Sequence, residues 1–183
     1  MGVLYEYFAA ADDAVAAGVI DLPGGPGGPG GRIPVPMPFS KLVRKHGLAG
    51  ARQFFKPQVR VSEHGFPVVS TKGFDPFADL GAVEAALTGE SLDEVWSRQP
   101  EPVAIRDGGE RLVLPIGERT CAALIAATGP ELATAAEEAA RGFAVPGGAV
   151  PDAAPLVSLL TELGSLARIA AERGERVYCW VCV

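Results

Sequence analysis

The chain has 183 residues, 48% of them hydrophobic, and its formal net charge is −6. This length corresponds to about one domain, and this composition excludes a chain that is disordered throughout. The 22 acidic residues outnumber the 16 basic ones, which argues against a nucleic-acid coating protein. Because we find neither an uncharged apolar run of about 18 residues nor a secretory leader pattern, we expect a soluble, cytoplasmic protein with reduced thiols and no membrane contact.

The first predicted elements are a strand and a short helix. Residues 2–8 are rich in β-branched and aromatic side chains, which favours a strand. Asp12 can cap a helix that continues to Ala17, and Gly18 can end that helix by adopting a left-handed conformation.

A stretch rich in proline and glycine follows. Twelve of the sixteen residues from Pro23 to Pro38 are of these two types. Proline lacks the amide donor and glycine costs backbone entropy, so we predict a flexible surface loop at 23–38. The stretch contains a literal G-x-G-x-x-G, but no strand-to-helix turn surrounds it, so nucleotide binding is not predicted.

The middle of the chain predicts a strand, two helices and a hairpin. Residues 66–70 form a short strand with Pro67 at its start or on an edge. A helix capped by Asp75 ends at Gly89, and a second helix begins with a capping box at 91–94. We predict a β-hairpin near 103–114 because Asp107 and Gly108 supply the positive φ angles of a tight turn.

The last third of the chain predicts three helices and a buried strand. Two helices cover 117–127 and 130–140, and a longer helix with an apolar stripe over 156–170 ends at Gly174. Residues 177–183 are all apolar or aromatic, which is typical of a strand covered on both faces. The elements together predict one α+β domain over 1–183, with helices covering a mixed sheet that includes both terminal strands and the hairpin.

Three cysteines are candidates for redox or metal chemistry. Cys179 and Cys182 have the C-x-x-C spacing of redox thiols and zinc sites. In a strand, however, positions i and i+3 lie on opposite faces, so these two sulfurs could not easily bridge or share a metal. Cys121 lies in a stretch typical of a helix core. We therefore predict structural thiols, no metal and no cofactor.

Positive charge is concentrated in one basic stretch at 32–60. There is no acidic residue between Leu22 and Ser62, whereas seven basic residues lie within 32–60. The rest of the chain has nine basic and 22 acidic residues, a net charge of −13. This asymmetry can attract an anionic partner, and nearby aromatic rings could add stacking or burial. The candidate binding residues are Arg44, Lys45, Arg52, Phe54, Phe55 and Lys56.

Several short motifs resemble those of a group of small uncharacterised actinobacterial proteins. They are Met1-Gly2, Tyr7-Phe8-Ala9-Ala10, Lys72-Gly73-Phe74-Asp75-Pro76, Leu80-Gly81, Leu87-Thr88-Gly89 and the final run 176–183. A more distant likeness, through the N-terminal Met-Gly and Tyr-Phe and the Leu-Thr-Gly, is to the YfbM-like domain-of-unknown-function family. The resemblance implies a bacterial, cytoplasmic α+β protein and brings neither an established activity nor a set of catalytic residues.

Two functional hypotheses follow from the sequence. The first is a non-enzymatic protein-interaction module, regulatory or toxin-neutralising, that uses the basic stretch to bind an acidic protein partner ahead of nucleic acid. The other interpretations of the basic stretch are that it docks on its own acidic domain, that it is solvated, or that it binds an anionic small ligand. The alternative is a small hydrolase or transferase with a cleft formed by His46, His64 and Asp75, which would have to converge on one pocket.

Overall fold

A computed structural model describes residues 3–28, 59–142 and 152–183 of the chain. Six strands within these ranges form one sheet in the order β2-β3-β1-β6-β5-β4. The strands are β1 (Leu4–Ala10), β2 (Arg60–Val61), β3 (Pro67–Lys72), β4 (Ala104–Arg106), β5 (Arg111–Pro115) and β6 (Arg176–Cys182). Together with the helices packed on it, this sheet confirms the predicted α+β class.

The sheet contains the predicted strands from both ends of the chain and the hairpin at 103–114, but it is not mixed. All five pairings between its strands are antiparallel. The N–H of Ile116, directly after β5, donates to the carbonyl of Val177 at 2.9 Å. β6 therefore begins at the end of the sheet where β5 finishes, and neighbouring strands in this arrangement run in opposite directions.

Six helices accompany the strands in the described ranges. They are α1 (Asp13–Gly18), α2 (Ala78–Thr88), α3 (Leu92–Ser97), α4 (Glu118–Ala126), α5 (Gly129–Gly142) and α6 (Ala154–Arg173). The predicted helix starts are confirmed: the Asp12 side chain accepts the N–H of Val15 at 2.9 Å. The predicted left-handed stop at Gly18 is wrong, because Gly18 has right-handed dihedral angles (φ −63°, ψ −22°) and the chain continues from α1 directly into the Val19–Asp21 turn. Ser91 and Glu94 form the predicted capping box at the start of α3.

Strand alternation gives the sheet two faces with separate cores. Odd-numbered residues of β1 and β6, such as Tyr7 and Cys179, lie on the face that α2, α4, α5 and α6 cover, here called the helix-covered face. Even-numbered residues, such as Phe8 and Tyr178, lie on the second face, against which α1 and the Val19–Asp21 turn pack. β6 lies between β1 and β5 and is covered on both faces, as predicted.

Helix α6 lies directly on the helix-covered face. Its 20 residues have a mean hydropathy of 1.3 in their most apolar window, so that by length and composition alone α6 could span a membrane. Its buried side chains, among them Leu160, Leu163 and Leu166, pack instead against β1, β3 and β6. We therefore assign α6 to the core of the domain.

The described part of the proline- and glycine-rich stretch is a surface loop only at its start, where Pro23 and Gly24 are exposed. Gly25–Gly28 are buried. Successive turns hold this segment, with Gly25 N–H donating to the Leu22 carbonyl at 3.0 Å and Gly28 N–H donating to the Gly25 carbonyl at 3.2 Å. The physical reason is that three of these four residues are glycines, which have no side chain to hold the backbone away from the sheet. Residues 29–38 lie outside the described ranges.

Candidate functional site

The six predicted binding residues lie outside the described part of the chain. They are Arg44, Lys45, Arg52, Phe54, Phe55 and Lys56. A binding surface formed by these residues therefore stays a prediction. The structure does describe the two flanks of the basic stretch, which end at Gly28 and resume at Val59. These flanks meet at one place on the second face of the sheet.

The first flank lies on the indole ring of Trp180. A Cβ atom on Gly25 would be 2.8 Å from Trp180 Cδ2, and the φ angle of Gly25 is +67°. A side chain at this position would both clash with the ring and strain the backbone, so the close approach requires glycine. The glycine-rich segment thereby closes the second face over the centre of the sheet.

Glu6 is a buried acid under this segment. It is 1% exposed and lies in β1 opposite Ser70 of β3 and Trp180 of β6. The N–H of Gly27 donates to Glu6 Oε2 at 2.7 Å, and the Ser70 hydroxyl donates to Oε1 at 3.0 Å. Each carboxylate oxygen therefore has a donor, one from the glycine-rich segment and one from the neighbouring strand.

The surroundings of Glu6 change its affinity for a proton. Burial raises the pKa of the Glu6 carboxyl above its usual value, whereas the hydrogen bonds from Gly27 and Ser70 and the charge of Arg60 lower that pKa. Burial is the largest of these effects. Glu6 therefore holds its proton more tightly than an exposed glutamate does.

The second flank reaches the same group of residues through β2. Arg60 Nη2 donates to Ser70 Oγ at 3.1 Å. A continuous row of hydrogen bonds therefore joins Gly27, Glu6, Ser70 and Arg60, here called the Glu6 cluster. The 30 residues from 29 to 58 leave the described structure at one side of this cluster and return to it at the other.

The turn between β2 and β3 also lies against the first flank. A Cβ atom on Gly28 would be 3.4 Å from Glu63 Oε2 and 3.6 Å from His64 Nε2. His64 Nε2 is buried and has no hydrogen-bond partner among the described residues. His64 thus lies beside the first flank, close to the point at which that flank ends at Gly28.

The structure does not bring the predicted catalytic residues together. His64 precedes β3 and Asp75 follows it, and a strand of six residues spans about 20 Å. Asp75 instead accepts the N–H groups of Phe77 and Ala78, each at 2.8 Å, in the predicted capping role at the start of α2. His46 lies outside the described ranges. His64 and Asp75 therefore do not line one cleft.

The cysteines lie where their spacing predicts. Cys179 belongs to the core of the helix-covered face and Cys182 packs on the second face, so their sulfurs lie on opposite sides of the sheet. All three cysteines are free. Burial, together with the negative charges of Glu118 and Glu84, raises the pKa of the Cys121 thiol to about 12. A thiol of this kind is protonated near neutral pH and is a poor nucleophile.

Two buried acids were missed from the sequence, Glu6 and Glu84. For Glu6 the sequence did contain a signal, since it is the one charged residue in an otherwise apolar and aromatic strand. A charge buried in such a strand needs hydrogen-bond or ion-pair partners. Glu84 is 3% exposed, pairs with Arg98 at 2.6 Å and accepts a hydrogen bond from the Thr120 hydroxyl. These partners are 14 and 36 residues away in sequence, so no local pattern could have identified them.

Comparisons with protein-family models, with curated proteins and with solved structures found no match. The resemblance to actinobacterial and YfbM-like proteins therefore stays a prediction. Function has to be inferred from the residues themselves and from their geometry.

Proposed function

We propose that this chain is a non-enzymatic protein-interaction module, regulatory or toxin-neutralising, that binds an acidic protein partner through the basic stretch at 32–60. The observation that carries this proposal is the separation of charge along the chain. The described ranges contain ten basic and 22 acidic residues, a net charge of −12, whereas residues 29–58 contain six basic residues and no acidic one. A positive segment on a negative domain attracts anionic partners through its long-range field.

Half of the cations of the described ranges are paired with carboxylates of their own chain. Five of the ten are paired with carboxylates: Arg98, Arg106, Arg111, Arg119 and Arg176. An arginine that is already paired offers little positive potential to a partner. Residues 29–58, by contrast, contain six cations and no acidic residue with which they could pair within the stretch.

The flanks of the basic stretch support one contact region. Both flanks end at the Glu6 cluster, which ties Gly27 on one side and Arg60 on the other to the same carboxyl and hydroxyl groups. The points at which residues 29–58 join the described structure are therefore adjacent. This supports a single docking surface for one partner.

The net charge of the whole chain favours an acidic protein over nucleic acid. A duplex has a continuous line of phosphates, which the chain's net charge of −6 repels as the two approach. An acidic protein has a limited negatively charged patch, which the basic stretch can contact without bringing the acidic part of the chain close to it. Three free thiols are in keeping with a reducing compartment, and a bacterial, cytoplasmic location is part of the proposal.

Binding to immobilised poly-L-glutamate tests the proposal with a defined probe. We expect retention of the full chain to fall steeply between about 50 and 300 mM salt, because exposed ion pairs are screened within about 10 Å at 0.1 M salt. The triple reversal Arg44→Glu, Lys45→Glu and Arg52→Glu should weaken binding at least about tenfold, since three exposed pairs contribute about 0.5 kcal/mol each.

A matched reversal elsewhere provides the control. Lys72, Arg168 and Arg173 are exposed cations of the described ranges, and changing all three to glutamate alters the net charge equally. Binding that drops to the same extent in both triple variants would show a non-specific charge effect and contradict the proposal. Tighter binding to a 20-base-pair DNA duplex than to poly-L-glutamate would contradict the choice of an acidic protein partner.

A further inference from the structure

A pocket of about 300 Å³ opens between α4 and α6, beside the start of β6. Its lining is mainly apolar and includes Ile116, Ile125, Ala167, Ala170 and Val177. All five of these side chains belong to or pack against the core of the helix-covered face, so the floor of the pocket is a fixed surface. The Glu6 cluster lies on the opposite face of the sheet, and the pocket is therefore independent of the proposed interaction surface.

Three charged residues also line the pocket: Glu118, Glu175 and Arg176. Arg176 pairs with Asp13 at 2.9 Å in an exposed ion pair, which offsets part of its charge. Glu118 is exposed in the first turn of α4, where a carboxylate interacts favourably with the helix dipole. The side chains of Glu118 and Glu175 have no ion-pair partner among the described residues.

Glu175 is the residue that points to a ligand. Its Oε2 atom is buried and accepts no hydrogen bond from any described residue. A buried carboxylate oxygen without a donor is unfavourable, and such groups in native proteins are normally satisfied by a water molecule, a cation or a bound ligand. Glu175 is among the residues that line an apolar pocket, whose volume is at the lower end of the range of small-molecule sites.

We propose that this pocket binds a small organic ammonium ion. The apolar part of the ligand packs on the alanine-lined floor beside Ala167 and Ala170, and its ammonium group donates to the Glu175 carboxylate. An anionic ligand of the same shape meets two uncompensated carboxylates, Glu118 and Glu175. A neutral ligand fills the pocket but cannot compensate the charge of Glu175.

Three ligands of similar shape and different charge test this proposal: the cation phenethylammonium, the neutral 2-phenylethanol and the anion phenylacetate. Each is titrated into the ¹⁵N-labelled full-length protein, and dissociation constants are taken from the amide shifts. We expect phenethylammonium to bind at least about tenfold more tightly than 2-phenylethanol, and phenylacetate most weakly. The shifts should centre on α4, the end of α6 and the start of β6. Equal affinities, or no saturation by phenethylammonium at about 10 mM, would overturn the proposal.

Two pairs of variants test whether the ligand binds in this pocket and contacts Glu175. Glu175→Gln should abolish the preference for the cation over the alcohol while leaving alcohol binding in place, and Glu118→Gln should change that preference less. Ala122 lines the pocket and is exposed on α4, so Ala122→Trp should block it, whereas Ala126→Trp on the same helix should not. Equal loss in the two tryptophan variants, or a preference that survives Glu175→Gln, would rule out this site.

Discussion

Replacing Gly25 with alanine tests whether the glycine-rich segment is a fixed part of the fold. The new Cβ atom would lie 2.8 to 2.9 Å from three atoms of the Trp180 indole, closer than side-chain atoms pack, and the backbone φ of +67° disfavours any side chain. Either the ring or the segment must move. The variant should therefore be markedly less stable than the natural chain.

The expected loss has two parts that can be measured separately. A left-handed backbone costs a non-glycine residue about 1–2 kcal/mol, and forcing an extra methyl group against a packed ring costs about 1–3 kcal/mol more. Gly73 has nearly the same φ, +69°, but open space around its Cβ position. Gly73→Ala therefore reports the backbone part alone, and the difference between the two variants reports the clash with Trp180.

Urea unfolding followed by circular dichroism gives both free energies, and thermal melting checks them. For a domain of this size, about 3 kcal/mol corresponds to a melting temperature lower by about 10 °C. Trp180 fluorescence, recorded in a Trp96→Phe background, should shift to longer wavelength in Gly25→Ala because the segment no longer covers the ring. Equal stability of Gly25→Ala and Gly73→Ala, with unchanged fluorescence, would refute the close packing of the segment on the indole.

Two further predictions concern the buried acids. Because burial raises the folded-state pKa of Glu6 above the unfolded value of about 4.5, the folded state binds more protons, and the stability of the natural chain should fall relative to Glu6→Gln as the pH rises from 4 to 7. Urea unfolding of both proteins across this range measures the difference, and a difference that does not change with pH would contradict the assignment. Glu84→Ala removes a buried partner of Arg98 and should cost about 3 kcal/mol, whereas Asp21→Ala, in an exposed pair with Arg106, should cost less than about 1 kcal/mol. Similar losses for these two variants in urea unfolding would show that burial of the Glu84 pair is not what stabilises it.

Elements defined by nearby residues were predictable from the sequence. The Asp12 cap, the 91–94 capping box and the glycine stops at Gly89 and Gly174 each depend on residues within one or two turns, and all of them are present. The apolar run of β6 likewise indicated a strand covered on both faces, because an unbroken apolar pattern leaves no face for solvent. Local physical rules were sufficient for these features.

Features that depend on distant partners were not predictable. The Glu6 carboxyl finds its donors 21 and 64 residues away, at Gly27 and Ser70. The high content of proline and glycine predicted a flexible loop for the glycine-rich segment. This prediction considers composition alone, and it cannot include the packing of the segment on Trp180, which belongs to a strand about 150 residues further along the chain. The direction of β6 was not predictable either, because it depends on the end of the sheet at which the preceding helices leave the chain.

The pairing of β1 with β6 has a consequence for biosynthesis. Leu4 pairs with Cys182 and Ala10 with Arg176, so these neighbours at the centre of the sheet are separated by about 170 residues of chain. Contacts of such long range form slowly, since a large loop must close before any stabilisation is gained. On the ribosome, β1 therefore emerges long before its neighbour, with its strand edge open to unwanted association, and completion of the sheet has to wait until translation of β6 is finished.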